Sequence, residues 1–221
     1  LPAVPCAAAL SHRFLDLATS PAARAEQAAR GSRGAYARGE GGPLHHDRLT
    51  PDEAAFIAAR DSLYLASVGP GGWPYIQHRG GPAGFLKVLD DRRIALADYR
   101  GNRQYLTIGN IAGDDRVALL LMDYPNRRRL KILGRMQAVD LSDDPALAAR
   151  LTDPDYPARV ERGLIVTVEA FDWNCPQHIA PRFTEAELAK VLAPIRDRLT
   201  ALDAENRALK ARLAQLEGTD P

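Results

Sequence analysis

Between residues 62 and 171 the sequence is cut into short strand-like segments, each ended by turn chemistry. This punctuation constrains the fold more than any other feature. The segments are 62–68, 73–78, 85–89, 93–99, 117–123, 130–139 and 163–171. The breaks are Gly69-Pro70-Gly71-Gly72, Asp90-Asp91-Arg92 and Tyr124-Pro125-Asn126. Helical patterns fall only near 102–111 and 144–151. Six or seven short strands with few long helices predict a closed barrel or sandwich rather than a doubly wound parallel sheet.

The flanks differ from this middle. Residues 1–46 predict a helical extension and a linker. Ser20-Pro21 starts one helix, the serine capping free N–H groups and the proline suiting the first turn, and Gly31 is a plausible stop. The stretch 39–47 (GEGGPLHHD) reads as linker. A sharper start follows at Thr50-Pro51-Asp52-Glu53, a capping box that predicts a helix to about Arg60. The barrel is expected over 47–182.

Residues 183–221 change period. Leu188, Ile195, Leu202, Leu209 and Leu216 recur every seven residues, and Leu192, Leu199, Asn206 and Leu213 form the companion series. These are d and a positions of a coiled coil. In a parallel pair the facing g and e residues are Arg198–Asp203, Glu205–Lys210 and Arg212–Glu217, all opposite in sign. Asn206 is the kind of polar a residue that fixes register in a two-stranded coil. An amphipathic helix packed on its own domain is the plainer alternative. Pro194 predicts that the continuous zipper begins near it.

Composition narrows the function classes. With 29 basic and 28 acidic residues the net charge is +1, so any anion site must be a local cluster. The segment before the heptads (179–190) is charge-balanced and holds a proline, unlike the basic arm of a zipper that binds DNA. No nucleic-acid partner is expected. No apolar run has the length of a membrane span, and the apolar start lacks the basic flank of a signal peptide. The two cysteines, Cys6 and Cys175, make no disulfide framework, which fits a reducing, cytoplasmic setting.

Arg79, Lys87, Arg100, Arg103, Arg127, Arg128, Arg129, Lys131 and Arg135 cluster around the middle strands. Residues 99–104 (YRGNRQ) put Gly, Asn and Arg in a turn before a helix, where free N–H groups and a guanidinium can hold phosphate. Such a turn is also common as a turn alone. Arg129 and Lys131 alternate with Leu130 and Ile132, which reads as a solvated outer face. Cys175 and His178 are at most half a zinc site. His45-His46-Asp47 reads as solvated linker, Asp143-Asp144 and Asp153/Asp155 as turns and caps, and no metal site is expected.

Taken together, GWPYIQHRGG (72–81), GFLKV (84–88), DYRGNRQY (98–105), RVALLLMDY (116–124), RRRLKILGR (127–135) and DWNCPQHIAPR (172–182) resemble the pyridoxamine 5′-phosphate oxidase-like, FMN-binding split β-barrels. The likeness is greatest to a branch of flavin-nucleotide-binding proteins. It implies a six-stranded barrel homodimer with FMN in clefts between subunits. By position, Lys87, Asn102, Arg103 and Gln104 fall on the residues that hold the FMN phosphate, Gln104 replacing a charge. Arg79 or His78 would supply further charge. The backbone through Phe85 and Leu86 would lie along the flavin. Asp98 falls near the cofactor, Arg129 on a glutamine that reaches the ring, and Trp173 either stacks near the ring or is core. The chain lacks the Arg-Leu-His-Asp-Arg segment that takes part in substrate binding in the biosynthetic oxidases.

The resemblance therefore implies an FMN-dependent oxidoreductase that passes electrons from a reductant such as NAD(P)H to a small acceptor, and not a true pyridoxamine phosphate oxidase. No catalytic residue stands out. The alternatives are a carrier or redox sensor without turnover, and a barrel that binds haem or a deazaflavin.

Overall fold

The computed structural model describes residues 11–37, 44–173 and 176–218. Cys6, Cys175 and the first part of the expected 39–47 linker lie outside the described residues. In chain order the elements are β1 (Ser11–His12), α1 (Arg13–Ala18), α2 (Pro21–Ala29), α3 (Arg33–Ala37), β2 (Leu44–His45), α4 (Pro51–Ala58), β3 (Ser62–Val68) and β4 (Pro74–Gly80). There follow β5 (Lys87–Val88), β6 (Arg93–Tyr99), α5 (Leu106–Gly113), β7 (Arg116–Asp123), β8 (Arg128–Val139), α6 (Pro145–Leu151), β9 (Val160–Trp173) and α7 (Glu185–Glu217). The chain divides into two compact units between Ile179 and Ala180.

The first unit is built on one antiparallel sheet in the order β4-β3-β7-β8-β9-β6-β5. Its seven strands correspond to the seven segments read from the sequence, one more than the six-stranded barrel that the resemblance implies, with 85–89 reduced to the short edge strand β5. The sheet curls. Arg79 on β4 reaches Asp98 on β6 at 2.7 Å, although β3, β7, β8 and β9 lie between them in the sheet. Among the described residues side chains, not a strand ladder, join these two ends.

Alternation sets what each strand buries. In β3, Leu63, Leu65 and Ser67 point into the core and their neighbours are half-exposed. β6 breaks the alternation and buries Ile94 through Asp98. Ile94 and Leu96 join the main core, while Ala95 and Ala97 pack with Leu147 and Leu151 of α6 on the other face. A strand covered on both faces has no polar side to show. β8 and β9 are long, and their register shifts at Leu133/Gly134. A Cβ at Gly134 would sit 2.6 Å from the Thr167 carbonyl oxygen, so the shift needs a glycine.

The expected caps form. Ser20 accepts from the Ala23 N–H at 3.1 Å, and Asp144 accepts from Leu147 at 2.9 Å. Thr50 and Glu53 close a capping box on α4.

The N-terminal segment corrects two readings. The outer face at Lys131 is not simply solvated. Lys131 pairs with Asp172 at 2.5 Å and lies 4.7 Å from the buried Phe14 ring of α1. Nor are His45 and His46 free linker. His12 and His46 stack at 4.2 Å, His45 stands edge-on to both, and His12 Nε2 lies 3.3 Å from Asp172. Asp47 pairs with Arg92 at 2.5 Å. The two-residue β1–β2 pairing brings these distant histidines together. No spacing in the sequence announces it.

The second unit is one helix, α7, with no buried residue. Thr184 and Glu187 close a capping box at its start. Pro194 does not end it, contrary to expectation. The ring removes one backbone bond, but around it the helix is exposed, so water can reach the freed carbonyl. The heptad residues stay open to solvent, Leu199 at 60% and Leu216 at 66%.

Candidate functional site

The curl leaves a cleft of about 220 Å³ between the free side of β4, the end of β6 and the start of α5. Its depth is ionic. Asp98 is 8% exposed and accepts from Arg79 at 2.7 Å, with Arg162 Nε on its other oxygen at 3.2 Å. Arg79 also reaches Gln77 at 3.4 Å, and Thr107 donates to Gln77 at 2.9 Å. Nearer the mouth, Glu161 receives the Tyr105 hydroxyl at 3.2 Å and faces Arg100 at 3.4 Å and Arg162 at 3.7 Å. Tyr105 and Leu106, 40% and 47% exposed, form an aromatic and apolar rim.

Local backbone explains the shape. Asn102 accepts from the Gln104 N–H at 3.1 Å, an Asx turn. Arg103 and Tyr105 both hold positive φ, 64° and 52°. A non-glycine residue reaches that region at some cost, and such strain gathers at functional loops. Tyr105 is the N-cap of α5 yet no side chain caps the helix. The first N–H groups of α5 are therefore open at residues that line the cleft.

This arrangement suits an anion. Arg79, Arg100 and Arg162 face two carboxylates, Asp98 and Glu161, and Arg103 lines the same cleft. Arg103 makes no ion pair among the described residues. The Nε of Arg79 is buried without an acceptor, while that of Arg162 faces Asp98. An uncapped helix start and a spare guanidinium match the needs of a phosphate. The residues present thus fit the phosphate end of a flavin nucleotide.

The structure gathers Arg79, Asp98, Asn102, Arg103 and Gln104 around this cleft. It puts Phe85 and Lys87 on a second cleft of about 240 Å³, with Arg150, Thr152 and Asp153. Tyr99 lines both. Within one chain, then, Lys87 and the 102–104 turn do not form a single cradle. Leu86 is 1% exposed and belongs to the core, so it is not open to a ligand from within one chain. His78 lies on the opposite face of β4 from Arg79, against Tyr64. Arg129 is on the outer face of β8, in register with Met122.

Trp173 lies elsewhere. Its Nε1 donates to buried Glu53 at 2.6 Å, and Arg128 lies 4.6 Å over its ring. Burial pushes the Glu53 carboxyl up, but hydrogen bonds from Thr50 and Trp173 outweigh this and hold it below the ordinary range.

Sequence reasoning missed Glu161, Arg162, Tyr105, Gln77 and Thr107. The one available signal was the alternation of Tyr75, Gln77 and Arg79 on a strand. Glu161 and Arg162 come in through the β6–β9 register, which sets Asp98 opposite Arg162.

No curated protein matches the sequence. Among solved structures, HupZ of Group A Streptococcus is 14% identical over 61% of this chain and 99% of its own, with TM-score 0.43. An FMN-binding protein of Syntrophomonas wolfei is 12% identical over 54% and 81%, TM-score 0.42. A Clostridium acetobutylicum protein related to general stress protein 26 is 14% identical over 62% and 94%, TM-score 0.41. The model of the pyridoxamine 5′-phosphate oxidase family matches residues 49–166, over half of the sequence and every strand from β3 to β8, and on that match the chain belongs to this family.

Proposed function

We propose that the protein binds FMN and acts as an FMN-dependent oxidoreductase, moving electrons from a reductant such as NAD(P)H to a small acceptor. The observation that carries this reading is the first cleft: Arg103, which makes no ion pair among the described residues, and the open N-terminus of α5 line one space, with the buried Arg79 side chain at its floor. Bound flavin would supply the redox chemistry. The chain's own residues do the holding. Arg103 and the α5 N–H groups bind the phosphate, Arg79 and Arg162 fix the floor through Asp98, and Tyr105 shields the mouth.

In this reading the curled sheet of residues 47–182 is a split barrel. It works as a cytoplasmic homodimer with FMN between subunits, which would let Lys87, Phe85 and Arg129 of the second cleft and outer face approach a shared flavin. Residues 1–46 form a helical extension. The exposed heptads of 183–221 pair in parallel with a second copy, since an apolar stripe of this length is costly in water. Sedimentation of the full chain should give an even-numbered oligomer. A monomer would remove the pairing.

The test is an absorption spectrum of the purified protein, followed by anaerobic NADH and NADPH. A flavin spectrum that bleaches supports an oxidoreductase. A flavin that stays oxidised with both assigns a carrier or sensor instead. Failure to bind added FMN overturns the reading.

A further inference from the structure

The two carboxylates of the first cleft are held differently. Asp98 is buried and takes a 2.7 Å bond from Arg79. Glu161 has three contacts, all longer: Tyr105 at 3.2 Å, Arg100 at 3.4 Å and Arg162 at 3.7 Å. Charge-assisted bonds to a carboxylate run shorter than this when they are optimised. Glu161 is thus an anion resting loosely among donors that suit a doubly charged one. Two of those donors are fork-shaped guanidinium groups, and Arg103, which lines the same cleft, makes no ion pair among the described residues.

We propose that Glu161 is a resident counter-anion: its carboxylate holds the place that a phosphate monoester takes, and the ligand binds by displacing it. This rests on the anion-cleft reading above and adds a selectivity rule. A phosphate dianion carries nearly twice the charge of a carboxylate and an extra acceptor oxygen, so it can outcompete Glu161 for the arginines. A monocarboxylate or a neutral hydroxyl cannot. Glu161 therefore keeps the arginines from capturing singly charged anions and sharpens the preference for phosphorylated ligands. Its side chain is 16% exposed, so an outlet to solvent is at hand when it is displaced.

The experiment compares wild type with Glu161→Gln, titrated with FMN, with riboflavin and with inorganic phosphate. The expected result is about tenfold tighter FMN binding in E161Q, the size of losing one like charge near the phosphate at the edge of solvent. Riboflavin affinity should not change, and inorganic phosphate should raise the melting temperature of E161Q more than that of wild type. Equal FMN affinity in the two proteins overturns displacement. Weaker FMN binding in E161Q also overturns it, because Glu161 would then be organising the donors rather than competing for them. Glu161→Ser gives the same readout should the glutamine impair folding. If neither protein binds FMN or riboflavin, the flavin reading fails, and the phosphate arm alone still decides whether Glu161 occupies an anion site.

Discussion

Two polar clusters in the sheet unit, the arginine cleft and the histidine cluster, solve the burial of charge in opposite ways. In the cleft, Arg79 and Arg162 flank buried Asp98, so charge is matched by charge. At the outer face three imidazoles cluster, and one of them, His12, faces the carboxylate of Asp172, with Lys131 on its other oxygen. Burial, and then the neighbouring His12 and His45, lower the pKa of His46. The Nδ1 atoms of His12 and His46 are buried without a partner. The first design holds a fixed ionic frame. The second buries a base whose surroundings oppose its protonation. A buried ion pair and a buried base differ in what protonation does to them.

The largest expected effect breaks the ionic frame. Arg79→Ala leaves Asp98 with Arg162 alone and should cost about 3 kcal/mol of stability, read by urea unfolding. A loss under about 0.5 kcal/mol, the ordinary size for a surface change, would mean the frame is not structural.

Next is ligand affinity. Arg103→Ala should weaken FMN binding about tenfold, the value of a charge-assisted phosphate contact. Lys87→Ala, in the other cleft, should weaken it less. The reverse order would move the phosphate to Lys87.

The pH effect is smaller and belongs to the histidines. A lowered folded pKa means that the unfolded segment takes up the proton first. Docking of β1 and α1 is therefore fully present above the unfolded pKa of about 6.5 and is lost as pH falls through and below it. Protection factors of residues 12–18, corrected for the slower intrinsic exchange at lower pH, should fall between pH 7.5 and 5.5, while those of β6 amides hold. His46 sits at φ 63°, which asparagine tolerates. His46→Asn should flatten this dependence. If it persists unchanged, the switch lies elsewhere.

The smallest effect is at His78. It stands on the far side of β4 from the cleft, so His78→Ala should leave FMN affinity within about twofold, as surface changes away from a site do. A large loss would show that flavin reaches the outer face.

What was legible in the sequence follows the range of the interactions. β3 and β6 were read at their observed ends because each is a local run closed by turn residues. The caps at Ser20, Thr50 and Asp144 are interactions within three residues, and they too could be read directly. The Asx turn at Asn102 lies in adjacent residues and was readable as a turn. The rest depends on partners far away in sequence. Glu161 and Arg162 enter the cleft only through the pairing of β6 with β9. The histidine cluster joins His12 to residues more than thirty positions on through a two-residue strand pair. Residue type alone also could not say that His78 and Arg79, adjacent in sequence, would face opposite ways relative to the cleft. Pro194 shows a local rule yielding to context, because an exposed and well-capped helix tolerates the lost bond.

The most direct measurement is a crystal structure of the protein grown with FMN. The phosphate should lie within hydrogen-bond distance of the Arg103 guanidinium and the first N–H groups of α5, with the Glu161 carboxylate moved away from Arg100 and Tyr105. A phosphate bound at Lys87 in the second cleft, with Glu161 still in place, would contradict the account.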